Sequence, residues 1–579
     1  MSDEVAARPP RRGAVGGRAL RLVSVLVLLV GAGLYLRELR QNLDLTLPRV
    51  RVPLAPLELP AELAPAPDLG VPPGAAAGRD VVLVTLDTTR PDRLGLYGNQ
   101  AIETPTLDRL GREGVVFSKA VATAPVTLPA HASILTGLYP YGHGARANGV
   151  FAADATPPTL AEILAAHGYD TAAFVSSFAL DSRFGLDRGF AIYDDKMLRT
   201  GGSIGFSERR ADETTERAIA WLRSPRTRPY FLWVHYYDPH TKYDPPEPYA
   251  SQSTNKYDGE IAYMDAQLGQ LLDAAKAASR RDPLVVVTAD HGEALGEHGE
   301  DTHSLLVQEA TLRIPWILRA HGVLPSGRRI DGLASQVDVM PTVLSLLGID
   351  APAGLHGSDW ARAPDPDRAV LAETVEGRVN FGWRRLSALY LGDLKLVSGA
   401  RPALYDLAHD PTESQDLAAV NPEAVARLES RLDALRSGEP ELLLPFTGAL
   451  GDATTQRLAA LGYIVTEGQT MPASGPGPDP RDMMAAMHRV MLAVDGPANA
   501  DAGAYSMWFR FVARMQGIEL PRTDEEVTAV LKAMAERDPS FAPTLYFLAV
   551  FYTKVNRPDD ASRTLERLEA VKRAASGAG

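Results

Sequence analysis

Asp80–Asp87, DVVLVTLD, and Pro283–His291, PLVVVTADH, are the two stretches whose reading decides the fold. In each, an unbroken run of aliphatic, mostly β-branched residues stops abruptly at an acid. A strand that is apolar on both faces is covered on both sides, which is the habit of parallel sheets. Three further runs share the character: TAAFVSS at 171–177, YFLWVHYYD at 230–238 and PWILRA at 315–320. Helical segments such as TLAEILAAHG at 159–168 lie between them. The alternation predicts an α/β fold with a largely parallel central sheet covered by helices. In open sheets of this kind ligands gather beyond the carboxyl ends of the strands, which directs attention to Asp87, Asp238 and Asp290.

At 579 residues the chain exceeds one ordinary domain. Its 45% hydrophobic and 23% charged residues are those of a folded protein. A net charge of −13 argues against nucleic-acid binding, which needs Lys and Arg to displace counterions. The absence of cysteine removes disulfides, thiolate metal sites and Cys nucleophiles together.

The uncharged run LVSVLVLLVGAGLYL at 22–36, bounded by Arg21 and Arg37, reads as an uncleaved membrane anchor. A cleaved signal peptide with Gly31 and Gly33 at its processing site is the rival reading, set against the apolar Leu34, Tyr35 and Leu36 that continue past them. The organisation expected is a cytoplasmic segment at 1–21, a transmembrane helix at 22–37, and a Pro/Ala-rich tether at 38–78. A catalytic domain at 79–465, a linker at 466–480 and an α-helical region at 481–579 follow.

Asp87 ends its strand before the turn-rich TTRPDRLGLYG, and Asp290 with His291 ends another, so a carboxylate and an imidazole stand together at a strand end. A divalent cation suits that pair. In APVTLPAHASILTGLYP at 124–140, Thr127 lies just before a helix expected to start near Leu128 and Pro129. A hydroxyl there is either an N-cap or, beside a cation and a helix N-terminus, an activated nucleophile.

Together VVLVTLDTTRPDRLGLYG, TLPAHASILTGLYP, KYDGEIAYMDAQLG, PLVVVTADHGEALGEHG, THSLLVQEATLRIP and VDVMPTVLSLLGI resemble the sulfatase branch of the alkaline phosphatase superfamily, and they appear in family order. LKLVSGARPALYDLAHDPTESQDLA at 394–418 resembles that family's C-terminal subdomain. The resemblance implies a metal shell of Asp87, Thr127, Asp290 and His291, with Thr127 as nucleophile. It implies His240 against the ester oxygens, His303 at the leaving group, and Asn148 at the non-bridging oxygens. Arg146 could add a guanidinium fork there, and His131 is a further substrate-side candidate. His235 reads as a packed neighbour; Asp238, His240 and His303 could instead hold a second metal. His143 and His298 receive no role.

The family's formylglycine is made from Cys or Ser, and the supporting Arg follows four residues later. Here Thr127 and His131 occupy those positions, so no formylglycine is expected. Thr88 stands where family sulfatases often carry a second acid. Zinc or manganese therefore suits the shell better than calcium or magnesium, which remain possible.

The function expected is a membrane-anchored, metal-dependent hydrolase of phosphate-type or sulfate-type esters through a covalent Thr intermediate. A phosphoethanolamine- or phosphoglycerol-type transferase of the cell envelope and a catalytically impaired scaffold are the alternatives. The substrate is a small-molecule or envelope ester, and the catalytic domain lies outside the cytoplasm. In the tail, APTLYFLAVFYTKVNRPDDASRTLERLEAV resembles a tetratricopeptide repeat, with Leu548, Ala549, Tyr552 and Ala561 at packing positions and a protein partner possible there.

Overall fold

The computed structural model describes residues 67–149, 151–154, 156–197, 208–241, 243–381, 383–440, 479–484 and parts of 528–575. The expected anchor at 22–37, most of the tether and most of the linker and tail lie outside the described residues. Among the described residues no helix is long and apolar enough to cross a membrane.

In chain order the strands are β1 (Val81–Leu86), β2 (Val115–Val121), β3 (Asp170–Phe174), β4 (Ile192–Asp194), β5 (Tyr230–Tyr236), β6 (Leu284–Ala289), β7 (Arg313–Arg319) and β8 (Arg328–Ser335). They form one sheet in the order β4-β3-β5-β1-β6-β7-β2-β8. All five apolar runs became strands. β1, β5 and β6 are buried at every position, as strands covered on both faces must be. The sheet is parallel except for β7, which runs antiparallel to both β6 and β2.

Register carries the functional consequence. Leu86 pairs with Tyr236 of β5 and with Ala289 of β6, so the three central strands end level. The next residues, Asp87 and Asp290, are thereby delivered side by side at the carboxyl edge. Trp233, Phe231 and Val286 are among the side chains beneath them with no exposure. Each such group contributes about 1.5–3 kcal/mol of transfer free energy when fully buried, and together they hold that edge rigid.

A second, antiparallel sheet of β9 (Ala369–Thr374), β10 (Leu386–Leu391), β11 (Leu394–Ser398) and β12 (Ala403–Asp406) is built from the segment resembling the C-terminal subdomain and the residues before it. It is joined to the large sheet by polar contacts. The Glu373 N–H donates to the Thr123 carbonyl at 2.9 Å, and the buried Lys395 ammonium reaches Glu309 at 3.1 Å and Glu413 at 2.7 Å. In the tail, a helix spans Pro558–Ala575, and Leu548, Ala549, Tyr552 and Ala561 are all buried.

Candidate active site

Asp87, Asp290 and His291 are fully buried, and one donor atom from each lies within 4.8 Å of the others. Their remaining polar atoms are held by the protein. Asp290 Oδ1 accepts the backbone N–H groups of Thr88 (3.1 Å) and His291 (2.7 Å). His291 Nδ1 faces the Gly292 carbonyl at 3.0 Å, so it carries the ring proton and Nε2 carries the lone pair. Asp87 Oδ2 faces His235 Nε2 at 3.3 Å.

What is left over is Asp87 Oδ1, Asp290 Oδ2 and His291 Nε2, three buried acceptors with no hydrogen-bond partner among the described residues. An unpartnered buried acceptor is costly, and three that converge fit a divalent cation. The acids answer the same way. Burial, then repulsion from Asp290 and Glu293, pushes Asp87 well above the ordinary carboxylate range, and burial pushes Asp290 up to about 7 against its backbone hydrogen bonds. A cation would supply the missing counter-charge.

Thr88 holds the cradle. Its backbone is in the left-handed region (φ 48°), unusual for a β-branched residue, and the turn is tied at three points. Its N–H binds Asp290, its hydroxyl donates to the Pro239 carbonyl at 2.6 Å, and its own carbonyl accepts from Tyr257 at 2.7 Å. The residue in place of a second acid is a clamp between strand ends.

His131, His235 and Asp290 form a second cluster of possible ligands, but hydrogen bonding commits both imidazoles. Ser176 N–H donates to His235 Nδ1 at 3.3 Å, so Nε2 is protonated and donates to Asp87, an arrangement that orients a metal-binding carboxylate. His131 Nδ1 donates to the Thr127 carbonyl at 2.7 Å, and Nε2 lies 2.9 Å from the Thr85 hydroxyl. Burial lowers His131 to about 4, so it is neutral. Both ring nitrogens of His131, expected on the substrate side, are used within the protein, and the ring props the Thr127 helix against β1.

Thr127 is the first residue of the helix Thr127–Thr136, with Val126 in the N-cap position and Gly137 closing it in the left-handed conformation. Thr127 is therefore not the helix cap, and no capping hydrogen bond uses its hydroxyl. It is 2% exposed. His131, one turn on, touches both Thr127 and, at 3.7 Å, Asp290, which fixes the helix start relative to the acids.

His240 and His303 come together, their rings 5.0 Å apart and edge to face, and His303 also lies 4.4 Å from the His291 ring. His240 Nδ1 donates to the Thr241 carbonyl at 2.6 Å, and burial, then His303, lowers it to about 3. His303 Nδ1 lies 3.1 Å from Glu293 Oε1. Burial works against its charged form, but the Glu293 charge and hydrogen bond outweigh that, and the imidazole is raised above its ordinary value. One neutral and one readily charged histidine therefore stand together. Asp238 is turned elsewhere, accepting the Ala211 N–H at 2.9 Å, and does not group with them as metal ligands.

Asn148 is buried beside the helix start, where its side-chain oxygen accepts the Leu128 N–H at 2.8 Å. The Arg146 guanidinium forks onto Glu373 (2.9 and 2.8 Å) and reaches Glu439 at 2.7 Å, so its charge is balanced within the protein. His143 is buried against Ser133 (3.1 Å), and His298 is exposed against the Thr412 carbonyl.

Two site residues escaped the sequence reading. Glu293, fully buried, stands two residues after His291 in the quoted segment, and its acidity was a signal that went unused. Gln336 precedes VDVMPTVLSLLGI; its amide donates to the Ala289 and Asp290 carbonyls at 3.0 and 2.5 Å and accepts from Thr123 N–H at 2.9 Å. No spacing rule marks such a brace.

Comparison with known proteins agrees with this fold. The family model described as Sulfatase matches residues 79–349. The uncharacterized sulfatase YidJ of Escherichia coli (strain K12) is 24% identical over 415 residues, covering 58% of this chain and 82% of its own length. An ulvan-active sulfatase of Formosa agariphila is 25% identical over 417 residues, covering 61% and 80%. Among solved structures, a phosphonate monoester hydrolase of Agrobacterium radiobacter superposes with a TM-score of 0.52 at 23% identity, covering 65% of this chain and 98% of its own. The mostly parallel sheet and the strand-end acids agree with these likenesses: residues 79–349 match the Sulfatase family model, and the chain is similar to sulfatases in sequence and to a phosphonate monoester hydrolase in fold.

Proposed function

We propose that the protein is a metal-dependent hydrolase of anionic phosphoryl-type esters, phosphate or phosphonate rather than sulfate, with Thr127 as the covalent nucleophile. The observation that carries the reading is the convergence of Asp87 Oδ1, Asp290 Oδ2 and His291 Nε2 as unpartnered buried acceptors. The choice of ester follows from the nucleophile: a threonine cannot become formylglycine, and the likeness to a phosphonate monoester hydrolase supports the same side.

Asp87, Asp290 and His291 would hold the cation, zinc or manganese by donor type, with Thr127 completing the set. Bound there, the ion would neutralise the ester's non-bridging oxygens and lower the pKa of the Thr127 hydroxyl. The helix N-terminus and the Asn148 amide favour the same anion. Thr127 Oγ1 forms a bond to phosphorus as the bond to the leaving oxygen breaks. The hydroxyl proton passes to solvent, and His303 Nε2–H supplies one to the departing oxygen. Water then attacks the phospho-threonine, returning the hydroxyl and releasing the acid.

The test is turnover of matched phosphate diesters, phosphonate monoesters and sulfate esters by the metal-loaded protein, with rapid quenching and peptide mapping. Phosphorus on Thr127 is expected. Turnover of sulfate esters alone, or none of label on Thr127 during phosphoryl turnover, would overturn the reading. The same reading places the domain outside the cytoplasm behind the anchor at 22–37, and a C-terminal reporter active only in the cytoplasm would refute that placement.

A further inference from the structure

We infer that Glu293 is the positioning residue for His303, fixing which ring nitrogen faces the leaving group, an assignment that rests on the hydrolase reading above. The carboxylate is fully buried and takes hydrogen bonds from three directions. Its Oε1 faces His303 Nδ1 at 3.1 Å, and its Oε2 accepts from Tyr243 Oη at 2.9 Å and Thr241 Oγ1 at 3.4 Å. Its own carbonyl accepts the Arg90 guanidinium at 2.9 Å, which pins the backbone from below.

The geometry determines an orientation. An Nδ1–H held by a carboxylate leaves Nε2 as the only ring nitrogen that can exchange a proton with a ligand. Thr241 and Tyr243 follow His240 directly, and the Thr241 carbonyl accepts the His240 Nδ1–H. Glu293 therefore joins the loop after β5, which carries His240, to the loop after β6, which carries His303. A lysine ammonium turns about its own stem and needs no such brace; an imidazole with two distinct nitrogens does.

A carboxylate that only packs the loops would, when removed, reduce turnover of all esters alike. One that orients a proton donor affects only those esters whose leaving oxygen needs the proton. In Glu293→Ala, kcat for an alkyl ester should fall by roughly 100-fold to 10,000-fold, the usual contribution of general acid catalysis. The p-nitrophenyl ester, whose leaving group departs unaided, should keep most of its rate, with KM little changed for either. Glu293→Gln should restore much of the alkyl-ester rate, because its amide oxygen still accepts the Nδ1–H.

A second measurement does not depend on turnover. In protein carrying 15N-histidine, the Nδ1–H of His303, assigned by its loss in His303→Gln, should resonate downfield in the wild type and disappear in Glu293→Ala. Equal losses on both esters, or a His303 resonance indifferent to Glu293, would overturn the assignment. A wild type that turns over no ester but shows the Glu293-dependent resonance would sink the hydrolase reading while leaving this orientation standing.

Discussion

The backbone N–H of Thr88 donates to Asp290 Oδ1 across 3.1 Å. That bond clamps the end of β1 to the end of β6 and turns the other Asp290 oxygen, Oδ2, towards Asp87 and His291. A residue in the left-handed region is retained because its strain sets the direction of a carboxylate.

Metal content should follow the converging atoms. Asp290→Asn keeps an acceptor for Thr88 but removes the charge, and elemental analysis of the purified protein should show the ion lost. His235→Ala removes only the group that orients Asp87, and affinity should drop by roughly 10–100-fold. Equal losses in the two variants would place His235 among the ligands.

Thr127→Ala should retain the fold and most of the metal while turnover falls by several orders of magnitude. Removal of a covalent nucleophile leaves only electrostatic positioning. Thr127→Ser keeps a hydroxyl at the first helical position without the methyl that restricts its rotamer, and should keep partial activity. Near-native kcat in the alanine variant would assign the attack to water.

Arg146→Ala should act on stability. The guanidinium is 4% exposed and shared between Glu373 and Glu439, so its loss leaves buried carboxylates short of a partner. Breaking such a pair costs about 3–5 kcal/mol. Denaturation midpoints should fall accordingly; an unchanged midpoint with a raised KM would restore the substrate fork that the sequence suggested.

Asp265 caps a helix from a distance. Its two oxygens accept the Thr106 and Leu107 N–H groups at 2.9 and 2.8 Å, at the start of the helix Pro105–Glu113. Asp265→Ala should cost about 1–3 kcal/mol. Burial raises this carboxyl to about 6, so the folded protein keeps a proton that the unfolded chain releases. Its contribution is full below about pH 4 and is lost as pH rises through about 6, by roughly 2–3 kcal/mol. Denaturation of Asp265→Asn at several pH values should lack that slope.

The placement of the candidate site was legible in sequence because its acids directly follow strands. A run buried on both faces is mostly apolar, and the polar members it does hold, Thr85, His235 and Thr288, are hydrogen-bonded, so the first acid after it, as at Asp87 and Asp290, announces the sheet edge. Thr127 was legible because the helix after it has a recognisable start and a glycine stop. The sequence by itself therefore determined the parallel core, the edge on which chemistry sits and the absence of cysteine chemistry.

Only the tertiary structure decided the partners. Arg146 and Asn148 stand two residues apart, yet one meets Glu373 and Glu439 and the other the Thr127 helix. His131 and His240 look alike in sequence, but the Thr127 carbonyl and the Thr85 hydroxyl take both nitrogens of His131, whereas the Thr241 carbonyl takes Nδ1 of His240. Glu293 reaches its histidine through a loop, and Gln336 braces Asp290 from 46 positions away. Hydrogen bonds between segments distant in the chain depend on where the sheet delivers each loop, and neither spacing nor periodicity encodes that distance.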